Sequence, residues 1–169
     1  MRVALVGDSI CKSLQGLSKN ILSMYDVRNF GVSGFKSSDL LHSVILRRAA
    51  EFDPSIVIVI LSGNDINIEE IITNISEITD YFRSKNITVR FCEMLYRRNP
   101  RGLNSITYKK ICNSVNRRMR NICPCLTFFS GLGKEKLKYY LKSDGVHLNY
   151  EGKIVLLNKI KSTIENTMG

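Results

Sequence analysis

Ile56-Val-Ile-Val-Ile-Leu61, closed at once by Ser62-Gly63-Asn64-Asp65, is the stretch on which the fold turns. Six consecutive apolar residues leave the run no polar face, so a strand here must be covered on both sides. That is the position of a central strand in a parallel sheet with helices above and below it. Outward from it, Arg2 to Val6 reads as a second buried strand, followed by a helix over Lys12 to Met24 with Leu14, Leu17, Ile21 and Leu22 at helical spacing. Val27 to Val32 is a strand ending in a Ser33-Gly34 turn. Ser37-Ser38-Asp39 offers N-caps for a helix that carries Leu40, Leu41, Val44, Ile45 and Ala49 inward and ends before Pro54.

Beyond the opening strand, Ile68 to Ser84 is helical, with Ile71, Ile75, Ile78 and Phe82 along one stripe. Ile87 to Met94 is a fourth strand, Arg97 to Gly102 a basic loop, Asn104 to Asn121 a helix and Leu126 to Phe129 a short fifth strand. A Gly- and Lys-rich stretch leads to Ser143-Asp144-Gly145-Val146-His147, and Glu151 to Glu165 is the final helix. This strict alternation predicts an α/β fold: a five-stranded, mainly parallel sheet with right-handed crossovers and helices on both faces, a single three-layer domain over residues 1–169.

The bulk properties narrow the class. With 44% hydrophobic residues among 169, the chain can bury a core and is not of the disordered type. No apolar run approaches the ~20 residues needed to cross a bilayer. The apolar start, Val3 to Val6, is too short for an export signal. Five cysteines at spacings that suggest no disulfide framework read as reduced thiols of an intracellular, cytoplasmic or nuclear protein, and the close pair Cys123-Pro-Cys125 lacks the second pair of a zinc site. The net charge of +10 permits a polyanionic partner, RNA or DNA or an anionic membrane surface, without requiring one.

In an open parallel sheet, sites gather beyond the carboxyl ends of the strands. Three strands here end in small polar clusters: Gly7-Asp8-Ser9, Ser33-Gly34 and Gly63-Asn64-Asp65. A fourth cluster, Asp144-x-x-His147, precedes the last helix. A serine hydroxyl needs a base within hydrogen-bond reach to become a nucleophile. Of the two histidines, His147 has an acid three residues before it that can fix its tautomer, whereas His42 falls in a helix beside Leu41 with no acid in its turn. Ser9 is then the nucleophile, His147 the base and Asp144 its orienting acid. The backbone N–H groups of Ser9 and Gly34 and the side chain of Asn64 are candidate oxyanion donors, helped by the dipole of the helix after Ser9. Asp8, Gly63 and Asp65 support the loops.

Gly7-Asp8-Ser9-Ile10, Gly34, Gly63-Asn64-Asp65 and Asp144-Gly145-Val146-His147 resemble the four sequence blocks of the SGNH hydrolases, the GDSL esterase/lipase family, in the family's order and over nearly the whole chain. The resemblance implies a flavodoxin-like α/β/α sandwich. It implies hydrolysis of a small-molecule or lipid-like acyl ester through an acyl-serine, with no metal and no organic cofactor. It also favours Gly34, in the string Gly31-Val-Ser-Gly34, over Gly31 as the glycine of the second block. The Asp144-Gly-Val-His-Leu-Asn149 ending and the Arg97-Arg98-Asn99-Pro100-Arg101 loop resemble, more narrowly, SGNH-type domains associated with metazoan retrotransposons and other mobile elements. The RNA-binding OSK domain of Oskar is a relative of that group that has lost its catalytic residues.

The basic residues carry an alternative. Arg97, Arg98 and Arg101 in the loop and Arg117, Arg118 and Arg120 in a helix without any acidic residue are candidate contacts for an anionic substrate or a polyanion. On that basis the chain is a nucleic-acid-binding module whose esterase activity is secondary or vestigial.

Overall fold

An all-apolar strand has to sit in the middle of a sheet, and Ile56–Ile60 does: every residue of it is buried. The computed structural model of the chain describes residues 1–61, 63–100, 102–127 and 134–169, apart from the side chains of 134 and 135. Strands β1 (Arg2–Gly7), β2 (Asp26–Gly31), β3 (Ile56–Ile60), β4 (Thr88–Cys92) and β5 (Cys125–Leu126) form a sheet in the order β2-β1-β3-β4-β5, every neighbouring pair parallel. Between and after them lie α1 (Ser9–Ser13), α2 (Gln15–Ile21), α3 (Ser37–Leu41), α4 (Val44–Glu51), α5 (Ile68–Arg83), α6 (Ser105–Ile122), α7 (Lys134–Leu137) and α8 (Tyr150–Met168).

Alternate strand residues feed two cores. Val3, Leu5, Ile56, Ile58 and Ile60 face Ile10 and Leu14 near α1 and Leu156, Leu157, Ile160 and Ile164 of α8. Ala4, Val6, Val57, Val59, Val89 and Phe91 face Leu40, Ala49, Ile75, Ile78 and Phe82 of α3 to α5 and Tyr108, Val115 and Met119 of α6. Each fully buried aliphatic side chain contributes about 1.5–3 kcal/mol by leaving water, so β1 and β3, buried on both faces, anchor the sheet.

The registers bring the strand ends level. Gly7 lies opposite Gly31 of β2 and opposite Ile60 of β3, so the loops after β1, β2 and β3 rise from a common rim. Close packing at that rim excludes side chains. A Cβ on Gly7 would lie 1.9 Å from the Ile60 carbonyl oxygen, and one on Gly31 would lie 2.3 Å from the Lys12 amide nitrogen.

Several boundaries differ from the sequence expectation, each for a local reason. The first helix starts at Ser9 rather than Lys12, because Asp8 Oδ1 accepts from the Ile10 N–H at 2.9 Å and caps it, and it breaks at Leu14 into α1 and α2. The helix expected after Ser37 is two, because Ser43 Oγ accepts from the Ile45 N–H at 3.2 Å and starts α4 anew. Lys36, not Ser37 to Asp39, is the N-cap of α3. His42 is the exposed C-cap of α3 rather than a helix-interior residue. β4 stops at Cys92 because the Asn116 side chain takes over at Met94, accepting from its N–H at 2.7 Å and donating to its carbonyl at 3.2 Å. β5 begins at Cys125 rather than Leu126, and Phe128 and Phe129 of the expected strand lie outside the described residues.

Gly7→Ala and Gly31→Ala therefore meet backbone and are expected to cost at least about 2 kcal/mol in urea unfolding. Gly16→Ala in α2, where a Cβ meets nothing within 4 Å, leaves stability unchanged or raises it by up to about 1 kcal/mol.

Candidate active site

Ser9 is held by what precedes it. Gly7 ends β1 against β3, the Asp8 N–H donates to the Ile60 carbonyl at 3.2 Å, and the fully buried Asp8 side chain caps α1. Ser9, half-buried at the first position of α1, thus stands at the mouth of the rim. Its Oγ lies 3.4 Å from His147 Nε2, across 138 residues of sequence. That separation is long for a hydrogen bond.

The acid–base pair is built within one turn. His147 Nδ1 lies 2.6 Å from Asp144 Oδ2, while Asp144 Oδ1 accepts from the N–H groups of Val146 at 2.8 Å and His147 at 3.0 Å. The hydrogen bond from His147, reinforced by the two amides, holds the Asp144 carboxyl down at about 2. An ionised Asp144 only accepts, so the shared proton sits on Nδ1 and Nε2 turns its lone pair toward Ser9 Oγ. The turn is tied off by an antiparallel bridge between Leu141 and Leu148 and by the Lys142 N–H donating to the His147 carbonyl at 2.8 Å.

The other two clusters are stitched to each other. Asn64 Nδ2 donates to the Phe35 carbonyl at 2.8 Å, and Asp65 Oδ2 accepts from both the N–H and the hydroxyl of Ser37, at 2.8 and 2.5 Å. Ser37 Oγ in turn accepts from the buried Asn74 amide at 3.0 Å. Asp8 and Asp65 thus both accept from backbone N–H groups beside the rim. Gly34 has φ +80, with open space where a Cβ would be, and among the described residues its N–H meets no acceptor. The Gly31 N–H, by contrast, donates to Asn29 Oδ1 at 2.8 Å. Gly63, at φ +85, has no room for a side chain, since a Cβ would lie 2.0 Å from the Tyr108 hydroxyl.

The basic residues divide. Arg97 turns inward, its guanidinium donating to Asn64 Oδ1 at 3.0 Å. The Arg98 N–H donates to the Gly145 carbonyl at 2.7 Å, and Asn99 Nδ2 donates to the Asp144 carbonyl at 3.2 Å, so the β4–α6 loop clasps the acid–base turn. Arg101 lies outside the described residues. α6 has no acidic residue of its own, but partners on other elements engage two of its arginines. Arg118 makes a two-pronged ion pair with Glu69, and Arg120 Nε donates at 2.7 Å to Glu93, whose side chain is 4% exposed. Of Arg117, Arg118 and Arg120, Arg117 alone is exposed with no such pair among the described residues. Sequence spacing shows none of these partners, which lie 27 to 49 residues away.

Among the described residues, no three His, Cys, Asp or Glu side chains come together in a way that could hold a metal ion. Burial pushes the Cys112 and Cys125 thiols up to about 12 and also raises Cys11, so these thiols stay protonated near neutral pH. Among the described residues, no helix is long and apolar enough to cross a membrane.

The same architecture recurs in solved structures. The chain superimposes on a GDSL-like lipase from Bacteroides thetaiotaomicron with a TM-score of 0.81 and 24% identity, covering 98% of this chain and 88% of that one. It superimposes on the lipase/acylhydrolase from Enterococcus faecalis with a TM-score of 0.81 and 19% identity, covering 99% and 97%. For an acetyl xylan esterase, AlAXEase, the TM-score is 0.79 and the identity 18%, covering 97% and 100%. The fold is therefore that of the GDSL-type lipases and acylhydrolases. No protein-family model matches the sequence, and no curated protein is significantly similar to it.

The His147 bond sets a measurable sign. The depressed Asp144 carboxyl makes the turn more stable above about pH 4, the usual carboxylate value, and that contribution is lost as pH falls through about 2. By carbon-detected NMR the Asp144 carboxyl is expected to titrate near 2 in the intact protein and to move up toward the usual value in His147→Ala. An unchanged midpoint would show that the bond is absent in solution.

Proposed function

We propose that the chain is a serine esterase that cleaves a carboxylic ester of a small or lipid-like acyl group through an acyl-serine intermediate. The observation that carries this is the line from Ser9 Oγ through His147 Nε2 to Asp144 Oδ2, assembled at the rim with Gly34 and Asn64. The ester chemistry named for the lipases, acylhydrolases and acetyl xylan esterase that share the fold agrees with it.

On this reading Ser9 Oγ attacks the ester carbonyl while His147 Nε2 takes its proton. The carbonyl oxygen becomes an oxyanion, met by the N–H groups of Ser9 and Gly34 and the second N–H of Asn64. When the tetrahedral species collapses, the C–O bond to the alcohol breaks and His147 returns the proton to the leaving oxygen. Water, giving a proton to His147, then attacks the acyl carbon; as that second tetrahedral species collapses, the bond to Ser9 Oγ breaks, His147 returns the proton to Oγ and the acid leaves. Asp144 keeps Nδ1 protonated and stabilises the imidazolium in each half-reaction.

A second reading, a nucleic-acid-binding module, keeps the net charge of +10 and the exposed Lys109, Lys110 and Arg117 of α6. The narrower likeness of the Arg97 to Arg101 loop and the Asp144 to Asn149 ending to mobile-element domains favours it. The ion pairs of Arg118 and Arg120 remove two of the cations it would use.

Turnover of p-nitrophenyl acetate or butyrate tests the first reading. Ser9→Ala and His147→Ala should each lower kcat by at least about 10³-fold while folding normally, and Ser9 should take a fluorophosphonate label. Folded variants with undiminished activity would sink it. For the second, RNA binding at low salt should weaken steeply as salt rises and on Lys110→Glu with Arg117→Glu, and hardly at all on Arg118→Ala. No binding at low salt removes that reading.

A further inference from the structure

The esterase mechanism makes no use of Arg97, yet its place is specific. Its guanidinium donates to Asn64 Oδ1 at 3.0 Å and lies over the Tyr108 ring, 5.8 Å from the centroid. At the other end of the same carboxamide, Nδ2 donates to the Phe35 carbonyl at 2.8 Å. These contacts fix which way the amide faces. Arginine can only donate and a peptide carbonyl can only accept, so the flipped amide would set donor against donor and oxygen against oxygen. The unflipped amide keeps one N–H for a further partner, the group the oxyanion hole requires.

We propose that Arg97 is a positioning residue for that hole, a proposal that rests on the esterase reading of the site. It locks the Asn64 carboxamide in its donor-facing orientation and places a full positive charge on the amide oxygen. A charged donor makes a stronger hydrogen bond than a neutral one. It also draws electron density toward Oδ1, which makes the remaining N–H a better donor to a developing negative charge. Because the dipole is aligned before substrate arrives, no reorganisation is needed as the oxyanion forms. Freed of this bond, the carboxamide could turn its oxygen toward the oxyanion and repel it.

The chain around Arg97 strengthens the assignment. The next two residues clasp the acid–base turn, Arg98 N–H to the Gly145 carbonyl at 2.7 Å and Asn99 Nδ2 to the Asp144 carbonyl at 3.2 Å. A Cβ on Gly145, which has φ +69, would lie 2.8 Å from Asn99 Nδ2, so the two loops touch closely. Residues 97–99 thus hold the oxyanion donor at one end and the base at the other, and set their relative placement. Because Arg97 acts through Asn64, its effect is expected with a neutral ester as well as with an anionic one.

A double-mutant cycle with a neutral ester, p-nitrophenyl acetate, tests this. Arg97→Met should lower kcat by about 10- to 100-fold with KM changed less than about threefold, somewhat below the effect of deleting an oxyanion donor outright. In an Asn64→Ala background the same substitution should have no further effect, because the residue it acts through is gone. Should Arg97→Met fail to fold, Arg97→Lys enters the same cycle, with a smaller loss in kcat that likewise vanishes beside Asn64→Ala. An equal loss in both backgrounds would mean that Arg97 acts on the substrate or on the fold, and an unchanged kcat would mean that it does not act at all. Either overturns the proposal while leaving Ser9-dependent hydrolysis intact. Failure of the esterase reading looks different: the unmodified protein itself neither turns over ester nor takes a fluorophosphonate label at Ser9.

Discussion

The site depends on the end of β1, where Gly7 runs so close to the Ile60 carbonyl that no side chain fits between them. That contact brings β1 level with β3, and the pairing of Gly7 with Gly31 brings β2 level with both. The chain then turns upward, Asp8 is swallowed into the interior as a helix cap, and Ser9 is left at the mouth of the rim. A larger residue at position 7 would push the two strands apart and carry Ser9 away from His147. The place of Ser9 is therefore set by main-chain packing in the sheet, and the loops have only to bring their groups to it.

Three loops do so, and they are joined in pairs rather than each standing alone. Asn64 and Asp65 bind the loop after β2 through Phe35 and Ser37. Arg97 binds Asn64, and Arg98 and Asn99 bind the turn that carries Asp144 and His147. The chain of contacts runs from the second cluster through the third to the fourth without passing through Ser9. A rim assembled in this way can be rigid before any substrate arrives, which is what electrostatic stabilisation of an oxyanion needs.

Much of this was legible in the sequence, and the reason is the range of the interactions involved. The apolar runs of β1 and β3 identify a doubly covered sheet because burial on two faces leaves no polar position. Ser9, Asn64, Asp144 and His147 could be picked out because each sits in a short local cluster at a strand end or in one turn. What failed was decided by partners distant in sequence or by single caps. Ser43 and Leu14 lie inside apolar periodicity, and one capping hydroxyl or one backbone kink was enough to split a helix there. β4 ended where a side chain of α6, Asn116, took over its hydrogen bonds. Arg97 was visible as a charge on the rim, but nothing in its neighbours says that it faces an asparagine 33 residues earlier.

The same point governs the meaning of the charge. A balance of +10 invites a polyanion as partner, yet several of the cations already have partners within the molecule. Arg97 serves Asn64, Arg118 is engaged with Glu69, and Arg28 stacks over Phe52 at 4.4 Å. Arg120 faces a carboxylate so deeply buried that removing the arginine would leave Glu93 an unpaired charge in the interior, so that cation belongs to the fold and not to a ligand. Arg118 and Arg120, bound to carboxylates, still count in the net charge but have fewer donors left for a phosphate. The excess that remains acts as a diffuse field, enough to draw anions toward the molecule, whereas the placed charge at Asn64 acts at one atom.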